Sequence, residues 1–225
     1  MSKIIIEQND WHEVYKDLKE EKLKPSTYDD YVISLMGDVK DKRILDYGCG
    51  PGVIAKELKN MGGIVDIYDI NKQILHIARE QLNICDDIAI DNIQKNIYDF
   101  VLCNLVVCIV EDNEVIDIAE KIYNFLKQET GITFIGFCNP KIYNIRETQL
   151  DIRHSGNTEY EKNHTYYKEK KEGGYVIPEK HRPIEWYNTA FENVGFKVED
   201  ILYTPGYSYK GKELNDFVIF KLRKE

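Results

Sequence analysis

Between residues 43 and 138 the chain alternates short apolar runs with segments whose apolar residues recur every three or four positions. That is the pattern of a parallel sheet covered by helices. "RILDYG" (43–48) predicts a first strand. "GVIAKELKNM" (52–61) places Val53, Ile54 and Leu58 at helical spacing, and Gly62-Gly63 stops it. "IVDIYD" (64–69) predicts a second strand, and "NKQILHIAREQL" (71–82) a helix with Ile74, Leu75, Ile77, Ala78 and Leu82 on one stripe. A short third strand is expected near Leu82 to Cys85. The most apolar segment, "YDFVLCNLVVCIV" (98–110), suits a fourth, central strand buried on both faces. "DNEVIDIAEKIYNFLKQ" (112–128) follows as an amphipathic helix with Asp112 at its N-cap, and "GITFIGFCNP" (131–140) as the fifth strand.

Past Pro140 the alternation breaks: residues 141–183 are polar, aromatic and rich in turn formers. It resumes with "IEWYNTAFENVGF" (184–196), a helix ended by Gly195, then strands "KVEDILYT" (197–204) and "LNDFVIFKL" (214–222). No internal repeat or low-complexity linker divides the chain, so residues 1–225 read as a single domain. Its parts are a helical N-terminal segment (1–40), an alternating core (41–138), an insertion (139–183) and a C-terminal helix with a strand pair (184–225).

Composition narrows the function. With 225 residues, 43% of them hydrophobic, the chain can bury a full core. A net charge of -9 argues against a grip on nucleic acid, which needs a local excess of Lys and Arg. The basic clusters "KEKKEGG" (168–174) and "KLRKE" (221–225) read as a solvated loop and a tail. Five cysteines without a CxxC pair read as reduced core residues rather than a disulfide frame or a zinc site, and no metal is indicated. No run of about twenty apolar residues is present to span a membrane, and a cytoplasmic location is expected.

The candidate chemistry starts at Gly48-Cys49-Gly50-Pro51-Gly52, where a strand turns directly into a helix. Glycines there remove the Cβ atoms that would collide with a ligand. The spacing is GxGxG, with Val53 three residues after Gly50, which departs from the GxGxxG of dinucleotide sites. "ILDYGCGPG" instead fills every signature position of the first motif of the class I S-adenosylmethionine-dependent methyltransferases, which this segment closely resembles.

The resemblance implies a Rossmann-like α/β fold: a mostly parallel seven-stranded sheet, helices on both faces, and a cap inserted after the fifth strand. It implies S-adenosyl-L-methionine as cofactor and S-adenosyl-L-homocysteine as product. By the family pattern, Gly48, Cys49 and Gly50 lie against the cofactor, Asp69 takes both ribose hydroxyls with Ile70 beside it, and Asp46 faces the ammonium. An acid after the third strand accepts from the adenine amino group; Asp87, followed by Ile88, fits by distance, with Asp86 and Asp91 as alternatives. Cys103 and Asn104, ending the fourth strand, point to the methionine part.

Methyl transfer from a sulfonium is an in-line displacement that needs alignment and, for a hydroxyl or ammonium acceptor, a proton acceptor. The Asn-Pro-Pro-Tyr signature of base and some protein-amide methyltransferases is missing; Asn104-Leu105-Val106-Val107 stands there. "HRPIEWYNTAFENVGF" (181–196) is similar to a run in small-molecule members, so a small acceptor receiving a methyl on O or N is expected. His181 is the candidate base. Tyr15, His154, His164 and Arg182 are candidate acceptor contacts, Trp11 and Tyr28 candidate lid contacts, and Tyr143, Tyr160, Tyr166, Tyr167 and Tyr175 cap packing or an aromatic wall. A protein methyltransferase and a non-catalytic cofactor-binding protein remain the alternatives.

Overall fold

A computed structural model describes residues 5–6, 10, 22–84, 93–154, 159–172 and 174–225. Among the described residues the central sheet carries six strands: β1 (Arg43–Tyr47), β2 (Ile64–Tyr68), β3 (Phe100–Asn104), β4 (Ile132–Cys138), β8 (Phe196–Tyr203) and β11 (Phe217–Lys224), in the order β2-β1-β3-β4-β11-β8. β1 to β4 run parallel, and β11 lies antiparallel between β4 and β8. The last strand pair thus belongs to the main sheet, and "KLRKE" is part of a central strand rather than a tail.

The alternation of each strand sorts its side chains onto two faces. Ile44, Leu102, Phe134 and Ile219 pack with α1 (Asp30–Met36), α2 (Val53–Asn60) and α3 (Lys72–Leu82). Leu45, Val101, Ile135 and Val218 pack with α4 (Asp112–Phe125) and α5 (Ile184–Val194). Helix boundaries follow local chemistry. Asn71 caps α3 by accepting from the amides of Gln73 and Ile74, and Gly195 ends α5 at φ 109°.

Three expectations shift. Leu82 ends α3 and Asn83 caps it in the left-handed region, so no strand starts at Leu82; residues 85–92, where a seventh strand would lie, fall outside the described residues. The apolar run 98–110 is a strand only over Phe100–Asn104, because Leu105 turns the chain at φ 59°. The N-cap of α4 is Glu111, in a capping box with Glu114, which leaves the Asp112 side chain for another partner.

The insertion forms an antiparallel sheet of β5 (Asp151–His154), β6 (His164–Lys170) and β7 (Val176–His181). "KEKKEGG" is therefore not a solvated loop: Lys168 and Lys170 lie on β6 with their side chains buried. A hairpin of β9 (Tyr207–Tyr209) and β10 (Lys212–Leu214) precedes β11. Of the expected N-terminal helical segment, a π-helical turn (Pro25–Asp29) and α1 are described. Among the described residues no helix is long and apolar enough to cross a membrane.

Candidate functional site

After β2 the chain crosses to the far side of β1 to form β3, so the carboxyl ends of β1 and β3 flank a topological switch point, where open α/β sheets bind ligands. A cavity of about 370 Å³ lies there. The glycine turn, Asp69, Ile70, Asp46, Asn104 and Lys24 line it, together with Lys168, Lys170, Ile177 and Glu179 of the inserted sheet.

The turn is held by Gly48 and Cys49, whose amides donate to the Tyr68 carbonyl at 2.7 and 3.0 Å. Gly48 sits at φ 76°, and a Cβ there would meet Val106 Cγ2 at 2.3 Å, so the β3 end can close over the turn only on glycine. Gly50, at φ 52°, has nothing within 4 Å of a Cβ position and leaves the cavity side open. Asp69 accepts from Gly50 N and Asn71 N, both at 2.9 Å, one on each carboxylate oxygen. Burial pushes its pKa up while those two amides pull it down. The remaining lone pairs of that carboxylate are available to a pair of hydroxyls.

Asp46 is buried at the end of β1. Burial first, then the nearby Asp69 and Asp29 carboxylates, push its pKa up to about 7, against the pull of Lys24 and the Ala55 amide. Lys24 Nζ is itself 2.7 Å from Asp29 Oδ1. Asp46 and Asp29 thus share one lysine, with the Asp69 carboxylate nearby, a surrounding that favours a ligand cation. Asn104 accepts from the Tyr28 hydroxyl at 2.7 Å, and its buried Nδ2 has no hydrogen-bond partner. An orphaned donor at a cavity wall is a group waiting for an acceptor.

At the cap end, Lys168 Nζ pairs with Glu179 Oε1 and reaches Cys138 Sγ at 2.9 Å, and the Tyr166 hydroxyl donates to Glu179 Oε2 in a short contact. Lys170 Nζ lies 2.9 Å from Asp151 Oδ1. Burial works against charge on Lys168, but Cys138, Glu179 and Asp151 hold its pKa well above the ordinary value.

The expected residues divide. Asp46, Gly48, Cys49, Gly50, Asp69, Ile70 and Asn104 line one cavity. Cys103 does not: its side chain is fully buried in the core facing α4 and α5, because neighbours along a strand point to opposite faces. His181 and His164 also lie elsewhere, stacked at 4.7 Å beside a separate small cavity. His181 Nε2 is 2.8 Å from the Tyr160 carbonyl, and burial lowers its pKa. His154 is exposed on β5 and faces Glu169 at 3.2 Å.

Arg182 is wholly buried and acts as a clamp. It donates to Asp112 Oδ1 (2.6 Å), the Val107 and Val110 carbonyls (2.9 and 2.6 Å) and the Tyr187 hydroxyl (3.1 Å), fixing the β3–α4 connection. Tyr28 is fully buried packing, 4.7 Å from the Phe217 ring. Tyr143 and Tyr166 line the small cavity, and Tyr175 is buried beside Ile6. Trp11, Tyr15, Asp86, Asp87, Ile88 and Asp91 lie outside the described residues.

Lys24, Asp29, Lys168, Lys170 and Glu179 were missed by sequence reasoning. For β6 the signal was present: Tyr166, Lys168 and Lys170 recur at a spacing of two in "HTYYKEK", the period of a strand face. Cys49, Cys103, Cys108 and Cys138 are buried free thiols, and among the described residues no group of three or more His, Cys, Asp or Glu is placed to hold a metal ion.

Residues 44–129 match the family model of a methyltransferase domain. A 50-residue stretch is 38% identical to a ubiquinone biosynthesis O-methyltransferase of Vibrio vulnificus, covering 22% of this chain and 21% of that protein. The chain thus spans about a fifth of that relative's length in the match. Among solved structures, an S-adenosylmethionine-dependent methyltransferase of Clostridium acetobutylicum superposes with a TM-score of 0.59 at 14% identity, covering 96% of this chain and 98% of that one. The 1,6-didemethyltoxoflavin-N1-methyltransferase of Burkholderia thailandensis, solved with 1,6-didemethyltoxoflavin and S-adenosylhomocysteine, gives 0.60 at 12% identity, covering 96% and 86%. At such identities the likeness is one of fold.

Proposed function

We propose that this chain, a class I methyltransferase by its glycine-turn domain and its fold, binds S-adenosylmethionine and moves its methyl group to an O or N atom of a small acceptor. The observation that carries the reading is one continuous cavity joining the glycine turn and Asp69 to polar groups under the inserted sheet.

The residues fit that cofactor in chemistry. Asp69 would accept from both ribose hydroxyls while its backbone bonds keep the carboxylate oriented. The exposed Ile70 side chain offers an apolar face for the adenine ring. Asp46 and Asp29 would meet the ammonium, Lys24 the carboxylate, and Asn104 Nδ2 would donate to the same end. The cofactor supplies an electrophilic methyl on a positively charged sulfur. The chain contributes alignment: β1 and β3 fix the methionyl end, and the inserted sheet positions the acceptor in line and excludes water.

His181 is not part of this proposal, since it faces the small cavity and not the large one. The test is calorimetry with S-adenosylmethionine, S-adenosylhomocysteine and NAD on the wild type and on Asp69→Asn. Both adenosyl compounds should bind and NAD should not. Loss of charge-assisted bonds to the ribose should weaken binding by about 1.5–3 kcal/mol in the variant. Preference for NAD, or equal affinity in Asp69→Asn, would overturn the reading.

A further inference from the structure

The strand order sets a direction across the cavity. The glycine turn and Asp69 lie at β1 and β2, Asp46 and Asn104 at β1 and β3, and Cys138, which ends β4, touches Lys168. A ligand with its ribose at Asp69 and its amino-acid end at Asp46 therefore has the β4 side, with Lys168 and Glu179, left for the second substrate. This step rests on the methyltransferase reading.

The hydrogen-bond inventory there is specific. Lys168 has three N–H donors; one meets Glu179 and one Cys138, which leaves one. Glu179 offers about four acceptor sites; Lys168 and Tyr166 occupy two, and the Cys138 thiol lies at 3.7 Å. Other charges near the pair are Asp151 and Arg153, with Arg153 Nη1 bonded to the Ile142 carbonyl at 3.3 Å and its charge over the Tyr166 ring. The same cavity is lined by the apolar side chains of Ile109, Val110, Ile177 and Phe217.

We infer that the acceptor is a phenol, whose hydroxyl donates to Glu179 and accepts from Lys168 beneath the inserted sheet. One free donor beside free acceptor sites matches a hydroxyl, which is both. A carboxylate would face Glu179 without a proton to give, and a neutral aryl amine, the form that can attack, accepts poorly from the Lys168 ammonium because its lone pair is delocalised into the ring. Glu179 already holds one phenolic hydroxyl, that of Tyr166. A phenol, with a pKa of about 10 like tyrosine, is acidic enough for a carboxylate to take its proton as the new bond forms. The oxygen–methyl bond forms as the sulfur–methyl bond breaks, and the sulfur keeps that electron pair and becomes a neutral thioether. The hydroxyl proton passes to Glu179 and then to water, and Lys168 keeps its protons.

The test uses the full chain and a series matched in size: phenol, aniline and benzoate. Binding to the S-adenosylhomocysteine-loaded protein is followed by calorimetry, and methyl transfer by label from S-adenosylmethionine. Phenol should bind and be methylated in preference to the other two. In Glu179→Gln, kcat for phenol should fall roughly 10²–10⁴-fold while the affinity for S-adenosylhomocysteine and the KM for S-adenosylmethionine stay unchanged. That split is one a merely structural role would not produce. If the single variant does not fold, Lys168→Met/Glu179→Gln, which removes both charges together, replaces it; if neither folds, the wild-type preference decides. Methylation of aniline or benzoate in preference, an unimpaired Glu179→Gln, or no binding of phenol to a protein that does bind S-adenosylhomocysteine would overturn the inference. Failure of the wild type to bind S-adenosylhomocysteine would instead remove the reading beneath it.

Discussion

The buried Asp46 predicts how cofactor affinity depends on pH. Its pKa stands at about 7 in the free protein, raised chiefly by burial. A ligand ammonium beside it favours the ionised form, so binding should release the proton that Asp46 holds at lower pH. Between pH 8 and pH 6 the ionised fraction of a group with a pKa of about 7 falls about tenfold, so S-adenosylhomocysteine should bind about tenfold more weakly, or by about 1.4 kcal/mol. Calorimetry at pH 6 in two buffers of different ionisation enthalpy should count close to one proton released per ligand bound. Asp46→Asn should bind more weakly at pH 8, with no such release and a flat profile. A wild-type affinity that is constant from pH 6 to pH 8, or a slope that survives in Asp46→Asn, would refute the argument. In the unliganded protein the sign runs the other way for stability. The raised pKa gives a contribution fully present below about pH 4 and lost as the pH rises through about 7, of order 4 kcal/mol at most, and the loss should show as a lower melting temperature at pH 8.

Two further expectations concern the scaffold. Arg182→Ala strands the Val107 and Val110 carbonyls and should cost about 3 kcal/mol or more, a fall of several degrees in thermal melting; Arg182→Lys should not restore it, because an ammonium cannot span the same partners. Gly136→Ala places a Cβ 1.8 Å from the Tyr28 hydroxyl, so it should destabilise by about 1–3 kcal/mol and, by displacing the Tyr28 contact to Asn104, weaken S-adenosylhomocysteine binding; unchanged affinity would refute the second half.

The glycine-turn end of the cavity was legible because its residues are local in sequence. The strand, turn and helix of residues 43–60 are contiguous, and Asp69 follows at the end of the very next strand, 19 residues from Gly50. The helix stop at Gly195 was equally local. The part of the cavity lined by the inserted sheet was not legible, since the strands of that sheet pair over distances that no short window contains. Lys168 looked solvated because its partners, Cys138 and Glu179, stand 30 and 11 residues away and meet it only once β4, β6 and β7 are brought together. Polarity also misled. His181 and Arg182 attracted attention as chemical side chains, yet their partners are a backbone carbonyl in one case and two carbonyls, a tyrosine and Asp112 in the other. The apolar run 98–110 was read as one strand because hydrophobicity records burial and not direction, and the turn at Leu105 left no mark in it.

The position of β11 bears on how the polypeptide emerges during synthesis. Residues 217–224 fill the slot between β4 and β8. Until they leave the ribosome, the apolar edge of β4 stays unpaired while nearly eighty further residues are added. An open, apolar strand edge is a template for pairing with another chain. The nascent protein therefore spends more than a third of the synthesis of these 225 residues with that apolar edge bare, and holding it apart from its neighbours is work for the translation machinery and its chaperones rather than for the fold.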